Sequence, residues 1–441
     1  MIGISARTRL VGIAVMFLAT TMFFASASAQ TRAWTPPVAL SIGGQGWEAA
    51  AAIDGNGNSV GVWLEITTSD QIWSRSRPSG GNWGPVTVVS PVNAGTVANL
   101  PAVRISTAGF ATAVWSDQSG VWTADRPPAS NWNPAQLLVP GGSSPNFVMN
   151  SQGTAAIAWN AGSSVMAMLR PAGGAWTAQQ VVASGGASAD HAGISDDGAV
   201  VVTWESFTVV CVRKHCRRTN FVQHASRQNA GTGVWVDSGP LLGPDSTPHD
   251  GHVALDSIGE AILVVLRSGT FISATQGSSG GAWSSFNTAV NPNATTLVSG
   301  LESDGAGQVT LVYEAIPFGT IGTSQAVAVN GSISSNTWSL PIVLSGSDTT
   351  VSLVQFALAP SGAAVAAWGA TGSTTSEIHA VTRATATGAW SSPVTVASTP
   401  SGQFSSRLSA EAAAVNSSGN AIVIYSDGAQ SPTEFATNFQ P

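Results

Sequence analysis

One repeat, present eight times in the 441-residue chain, most constrains the fold. Each copy has a glycine followed six residues later by a large apolar residue, as at Gly57 and Trp63. The anchor glycines are Gly57, Gly109, Gly153, Gly198, Gly259, Gly307, Gly362 and Gly419. A second tryptophan recurs at Trp34, Trp83, Trp132, Trp176, Trp235, Trp283, Trp338 and Trp390. Anchor spacings of 44 to 61 residues lie within or somewhat above the length of a propeller blade.

Each repeat divides into four strand-like segments, a to d. Strand a ends in a turn such as Asp54-x-x-Gly57, which has the chemistry of a type I turn. Strand b, as in residues 199–204 (AVVVTW), has no polar face and is therefore expected to be buried on both sides. Strand c is more mixed and ends near an arginine, and strand d starts at the second tryptophan. Four-stranded units repeated in this way predict an all-β propeller.

The two ends of the chain complement each other. The last repeat stops at Pro441 after its strand c, whereas residues 31–42 resemble a strand d without a blade. We therefore predict one domain, residues 30–441, with eight four-stranded blades and the N-terminal strand closing the last blade. The alternative is an open β-solenoid, which needs no such match between its ends.

Residues 1–29 have the pattern of a secretory signal peptide. Arg7 and Arg9 precede an apolar run, and residues 27–29 (ASA) form a small-residue cleavage site. The apolar run of about 15 residues is short for a membrane span, which needs about 20. The sequence thus predicts a secreted protein, extracellular or periplasmic, without a membrane span. Cys211 and Cys216 are compatible with one disulfide in such an oxidising compartment.

The charge balance argues against nucleic acid as a partner. Without residues 1–29 the chain keeps 14 Lys and Arg against 23 Asp and Glu, and Lys214 is its only lysine. Binding to a phosphate backbone depends on many basic side chains, so a sparsely charged acidic chain is a poor candidate.

The recurring glycine and tryptophan resemble, in plan only, the bacterial sialidase-like (BNR-type) and lectin-type propellers across residues 31–441. The sialidase repeat, Ser-x-Asp-x-Gly-x-Thr-Trp, places tryptophan three residues after glycine, whereas here it comes six after. Sialidases also use a tyrosine nucleophile, but Tyr313 and Tyr425 both occupy the strand b packing position. The resemblance implies a propeller and, through the lectins, a sugar ligand. It transfers no site residue and disfavours sialidase activity.

Polar residues outside the repeat concentrate on one face. If the strands run up and down in turn, the d-to-a and b-to-c connections share a face, here called the d–a/b–c face. The candidate ligand-binding residues on it are Trp47, Glu48, Asp190, His191, Asp250, His252, Arg213, Lys214, Arg217 and Arg218. His191 and His252 each lie seven residues before an anchor glycine, so blades 4 and 5 should present them at equivalent places near the central channel.

Simpler interpretations remain for these residues. The two histidines can be hydrated side chains lining a wet channel, and the basic residues a solvated loop. His249-x-x-His252 resembles a metal motif, but residues three apart on a strand point to opposite faces. We therefore expect no metal and no cofactor.

Three functions fit the sequence. The first is an exported, non-catalytic protein that binds a glycan or a protein on the d–a/b–c face. The second is a glycoside hydrolase or polysaccharide lyase that uses Asp190, His191, Asp250 or His252 as acid and base. The third is a structural surface repeat protein. A closed ring has few exposed strand edges, so a monomer is expected.

Overall fold

The computed structural model describes residues 33–440, except residues 44, 68, 92–96, 213–214, 293, 318–322, 349, 373–374, 401–407 and 429–431. The regular elements of this part of the chain are all strands. Their order is β1 (Ala33–Trp34), β2 (Val38–Ala39), β3 (Gln45–Ile53), β4 (Ser59–Ile66), β5 (Asp70–Arg77), β6 (Thr87–Val88), β7 (Val97–Ile105), β8 (Ala111–Asp117), β9 (Gly120–Arg126), β10 (Gln136–Pro140), β11 (Ser143–Met149), β12 (Ala155–Ala161), β13 (Ser164–Arg170), β14 (Gln180–Ala183), β15 (Ala187–Ile194), β16 (Val200–Val212), β17 (His215–Gln228), β18 (Val236–Asp237), β19 (Leu242–Asp245), β20 (Asp250–Leu255), β21 (Ala261–Arg267), β22 (Thr270–Gln276), β23 (Asn287–Val290), β24 (Ala294–Ser303), β25 (Gln308–Pro317), β26 (Gln325–Ser332), β27 (Thr337–Trp338), β28 (Ile342–Val343), β29 (Val351–Leu358), β30 (Ala364–Thr371), β31 (Thr375–Arg383), β32 (Val394–Pro400), β33 (Ser409–Val415), β34 (Ala421–Ser426) and β35 (Glu434–Gln440).

These strands form eight antiparallel sheets, which are the eight blades of a propeller. Blades 1 to 7 are β3–β6, β7–β10, β11–β14, β15–β19, β20–β23, β24–β28 and β29–β32, and blade 8 is β33–β35 with β1 and β2. The first strand of each blade contacts the first strand of the next blade, and β33 contacts β3, so these inner strands complete a ring. The predicted fold class is confirmed.

The N-terminal strand closes the ring. Ala33 of β1 pairs with Gln440 of β35, and Val38 of β2 pairs with Ala436. The two short strands together are the strand d of blade 8, as the incomplete chain ends predict.

The hydrophobic core is divided among the blade interfaces. The described residues form eight clusters of buried side chains, one between each pair of adjacent blades. Trp63, Trp115, Trp159 and Trp368, each from a strand b, are fully buried in these clusters. Most of the repeated tryptophans are therefore packing residues, as their register suggests.

The start of strand d differs from the sequence expectation. In most blades it begins a few residues after the second tryptophan, as at β6, which starts at Thr87 after Trp83. The tryptophan ring itself packs at the blade interface, and its segment joins the sheet only afterwards. An arginine lies over three of these rings, at 5.9 Å for Trp132, 4.9 Å for Trp176 and 5.0 Å for Trp390.

A β-bulge recurs in the inner strand on the d–a/b–c face. The pairing register shifts near the start of strand a in seven blades. Blade 5 is the exception: β20 pairs regularly with β21, and Val265 stands there in place of the aromatic residue of strand b. A bulge turns its side chains away from the regular alternation of a strand. The starts of the inner strands therefore present side chains differently in blades 4 and 5.

Among the described residues, no helix has the length and apolarity needed to cross a membrane.

Candidate functional site

Four of the predicted site residues meet at the start of the inner strands of blades 4 and 5. We call Asp190, His191, Asp250 and His252 the blade 4–5 cluster. Asp190 and His191 form the bulge of β15, opposite Thr203. Asp250 and His252 are two residues apart on the regular strand β20, so they project from the same face. The bulge in one strand and the regular neighbour together bring the two histidines into contact.

The cluster is compact and open to solvent. The imidazoles of His191 and His252 stack, with centroids 3.8 Å apart and planes 26° from parallel. Nε2 of His191 lies 3.6 Å from Oδ1 of Asp250, and Nε2 of His252 lies 3.1 Å from Oδ2. The side chains of His191 and Asp250 are 38% and 47% exposed, whereas that of His252 is 10% exposed. A ligand can therefore reach His191 and Asp250 directly.

Asp190 lies deeper than its neighbours. Nε2 of Gln223 donates to Oδ2 of Asp190 at 2.9 Å, and Nδ2 of Asn146 donates to its backbone carbonyl at 2.8 Å. Burial raises the pKa of Asp190 well above its usual range, the hydrogen bond from Gln223 opposes this shift, and the charges of Glu205 and Asp250 add to it. Asp190 is therefore a candidate proton donor.

Asp250 has the opposite electrostatic character. Burial raises its pKa, but its interactions with His191 and His252 outweigh that effect, so the pKa lies below the usual range. Burial and the neighbouring His191 lower the pKa of His252, although Asp250 opposes them. Two carboxyl groups whose pKa values are shifted in opposite directions are a common arrangement for acid–base work.

Gly251 leaves the space that Gln223 needs beside Asp190. A Cβ added at Gly251 would lie 2.6 Å from Oε1 of Gln223, whose side chain is fully buried. Nε2 of Gln223 is held by Asp190, by the carbonyl of Trp204 and by the carbonyl of His224. The amide therefore cannot move without losing these bonds.

Gly251→Ala is thus expected to destabilise the fold by about 1 to 3 kcal/mol through overpacking. Thermal unfolding followed by circular dichroism measures this effect. Gly277→Ala is the matched control, because a Cβ at Gly277 would meet no atom within 4 Å. Equal melting temperatures for the two variants would contradict the tight fit.

His249 belongs to a separate ionic network. Its Nδ1 lies 2.9 Å from Oε1 of Glu205, and its Nε2 lies 2.7 Å from Oδ2 of Asp245. Asp245 also binds Arg267, at 3.0 and 3.1 Å. Burial lowers the pKa of His249, but the hydrogen bonds to both carboxylates outweigh it and raise the pKa. His249 lies in the loop just before β20, where it binds two carboxylates of blade 4 and does not join His252.

Two of the four basic residues, Arg217 and Arg218, lie on a long hairpin of the same face. Strands β16 and β17 continue beyond the blade, and Cys211 pairs with Cys216 near the tip. The two cysteines form the predicted disulfide, with an S–S distance of 2.02 Å. Arg217 and Arg218 are exposed on β17. The guanidinium of Arg218 lies 4.1 Å from the ring centroid of Phe207. Arg213 and Lys214 fall outside the described residues.

Trp47 and Glu48 lie in β3 of blade 1, away from the blade 4–5 cluster in the ring. Trp47 is 41% exposed. Burial and the charge of Glu411 raise the pKa of Glu48. Trp47 and Glu48 therefore lie apart from both the blade 4–5 cluster and the hairpin.

Glu434, a buried acid beside Gly46 of β3, was not foreseen from the sequence. Glu434 is fully buried, and neither carboxyl oxygen has a hydrogen-bond partner among the described residues. Burial first, then the charges of Glu411, Glu65 and Asp427, raise its pKa well above the usual range. Its position at the start of the last strand c gives no sequence signal for this environment.

Comparison with known proteins supports the fold. No family model matches the chain, and no curated protein matches it. The structure of the Dos1 propeller has a TM-score of 0.50 at 9% identity, over 91% of this chain and 94% of that one. BP39L lectin from Burkholderia pseudomallei also gives 0.50, at 14% identity, over 80% and 100%. A PL25 ulvan lyase bound to -[GlcA(1-4)Rha3S]- gives 0.50, at 12% identity, over 90% and 95%. The chain thus shares its propeller fold with a lectin and a polysaccharide lyase, at identities that carry the fold alone.

Proposed function

We propose that this chain is an exported, non-catalytic propeller that binds an acidic glycan on the d–a/b–c face. The observation that carries the proposal is the exposure of His191 and Asp250 at the start of the inner strands, on the same face as the basic hairpin. A carboxylate and an imidazole can accept and donate hydrogen bonds to sugar hydroxyl groups. The hairpin arginines can pair with carboxylate or sulfate groups of the same ligand.

Export is part of the proposal. It is supported by the pattern of residues 1–29 and by the disulfide between Cys211 and Cys216, since disulfides persist in oxidising compartments. The solved lectin and ulvan lyase that share the fold make a carbohydrate ligand a reasonable class to test first.

Binding is tested by affinity electrophoresis of the purified protein in gels that contain polygalacturonate, a sulfated galactan or neutral dextran. We expect retention by at least one acidic polymer, no retention by dextran, and weaker retention as salt increases. His191→Ala is expected to weaken binding about tenfold, equivalent to about 1.4 kcal/mol. Replacing Arg213, Lys214, Arg217 and Arg218 with serine should weaken it at least as much.

A charge-conserving variant serves as the matched control. Arg217→Lys with Arg218→Lys keeps the positive charge but loses the paired hydrogen bonds of arginine, so it is expected to bind more tightly than the four-serine variant. Undiminished binding by both His191→Ala and the four-serine variant would overturn the proposed site. Binding of dextran alone would overturn the acidic ligand.

A polysaccharide lyase or glycoside hydrolase is the second candidate. The observation that favours it is the contrast between Asp190, whose pKa is raised, and Asp250, whose pKa is lowered. The same acidic polymers, assayed for unsaturated uronate ends and for new reducing ends, distinguish catalysis from binding. Polymer cleavage that Asp190→Asn abolishes would replace the non-catalytic proposal.

A further inference from the structure

The ligand atoms of three side chains in the blade 4–5 cluster converge on one point. One atom from each of His191, Asp250 and His252 lies within 4.8 Å of the other two. The two nitrogen-to-oxygen distances to Asp250 are 3.6 and 3.1 Å. Ligands about 2.1 Å from a tetrahedral metal ion lie about 3.4 Å from one another, so the spacing already approaches that of a metal site.

The Thr203 hydroxyl ties together the two strands that carry these ligands. The backbone amide of His191 donates to the Thr203 hydroxyl at 3.0 Å, and that hydroxyl donates to the carbonyl of Gly251 at 2.6 Å. Thr203 is fully buried and so ties the bulge of β15 to β20. His191 and the strand that carries Asp250 and His252 are therefore held together before any ligand arrives.

A second observation, independent of the ligand spacing, concerns Nε2 of His252. The residue is 8% exposed, and this nitrogen makes no hydrogen bond among the described residues. Its contact with Asp250 has the distance of an ion pair but not the alignment of a hydrogen bond. A buried ring nitrogen without a hydrogen bond is costly. A metal ion between the three side chains would satisfy it.

We propose that His191, Asp250 and His252 form a binding site for a divalent transition-metal ion of the zinc type. Two imidazoles and one carboxylate suit Zn²⁺, Co²⁺ or Ni²⁺ better than Ca²⁺ or Mg²⁺, which prefer oxygen ligands. Three protein ligands leave one tetrahedral position open, and the exposure of His191 and Asp250 directs it to solvent. The site departs from the sequence expectation of no metal and does not depend on glycan binding.

Metal binding is tested on the chelator-treated chain of residues 30–441. It is titrated with ZnCl₂ in a calorimeter and with CoCl₂ in a visible spectrometer. The expected result is one equivalent of each ion and the visible bands of four-coordinate Co²⁺. His191→Gln and Asp250→Asn are expected to weaken binding by a factor of about 100 or more, since each removes a direct ligand.

His215→Ala is the matched control, because His215 is an exposed histidine of the hairpin. It is expected to leave stoichiometry and spectrum unchanged. His191 is partly exposed, so His191→Gln keeps the test interpretable if Asp250→Asn fails to fold, and circular dichroism checks both. Sub-stoichiometric binding, or binding unchanged by His191→Gln, would overturn the site. Glycan binding together with a failure to bind Zn²⁺ or Co²⁺ would leave the proposed function standing and reject only the metal.

Discussion

Removal of residues 31–42 is expected to prevent the chain from forming a stable ring. This segment supplies β1 and β2, without which β35 becomes an unpaired edge. Leu40 is fully buried between blades 8 and 1, and its backbone amide donates to the carbonyl of Glu434 at 2.6 Å. The Ser41 hydroxyl accepts from the Glu434 amide at 3.0 Å. The deletion therefore opens both a sheet and a core cluster.

The loss should be large. A buried leucine truncated to alanine typically costs about 2 to 5 kcal/mol. The whole free energy of unfolding of a domain is commonly about 5 to 15 kcal/mol. We expect the truncated chain to be insoluble or to melt far below the full chain in a circular dichroism scan.

Two point variants distinguish the effect of losing the buried Leu40 side chain from the effect of losing the strand pairing. Leu40→Ala should lower stability by about 2 to 5 kcal/mol. Ile42→Ala should change it little, because Ile42 is 60% exposed. An unchanged melting temperature for the deletion would show that the pairing of β1 and β2 with β35 does not hold the ring closed.

Glu434→Gln is expected to stabilise the protein at neutral and alkaline pH. Glu434 is fully buried without a hydrogen-bond partner among the described residues, and its pKa is raised by burial and by nearby carboxylates. The unfolded chain ionises this group near pH 4.5, but the folded chain keeps it protonated to higher pH. Its contribution to stability is therefore fully present below about pH 4.5 and is lost as pH rises toward the folded pKa.

The gain in stability depends on how far the folded state raises the pKa of Glu434. Each pKa unit corresponds to about 1.4 kcal/mol. The difference in melting temperature, variant minus wild type, should therefore be positive at pH 8 and should shrink toward zero at pH 4. A Glu434→Gln difference that stays constant across this range would contradict a raised pKa at Glu434.

The fold could be predicted because each repeat contains its own turn and strand signals. Gly57, for example, adopts a positive φ of 88°, and its amide donates to the carbonyl of Asp54 across the turn. The apolar strand b residues must be buried on both sides, which a ring of blades achieves. The closing strand could be predicted because the chain ends are each incomplete in a complementary way.

The site could be predicted only in part. Equal distances from the anchor glycines placed His191 and His252 in adjacent blades, but ring stacking depends on a bulge in β15 and its absence from β20. Pairing register of this kind follows from cross-strand packing, which residue spacing does not record. The binding partners of His249 and the isolation of Glu434 likewise depend on contacts between distant segments.

Hydrogen–deuterium exchange with and without saturating acidic oligosaccharide, such as a polygalacturonate fragment, shows directly which face binds the ligand. We expect protection confined to the starts of β15 and β20 and to the β16–β17 hairpin. Protection of the opposite face would contradict it, for example in the cavity of about 320 Å³ between blades 7 and 8 that Arg383 and Trp390 line.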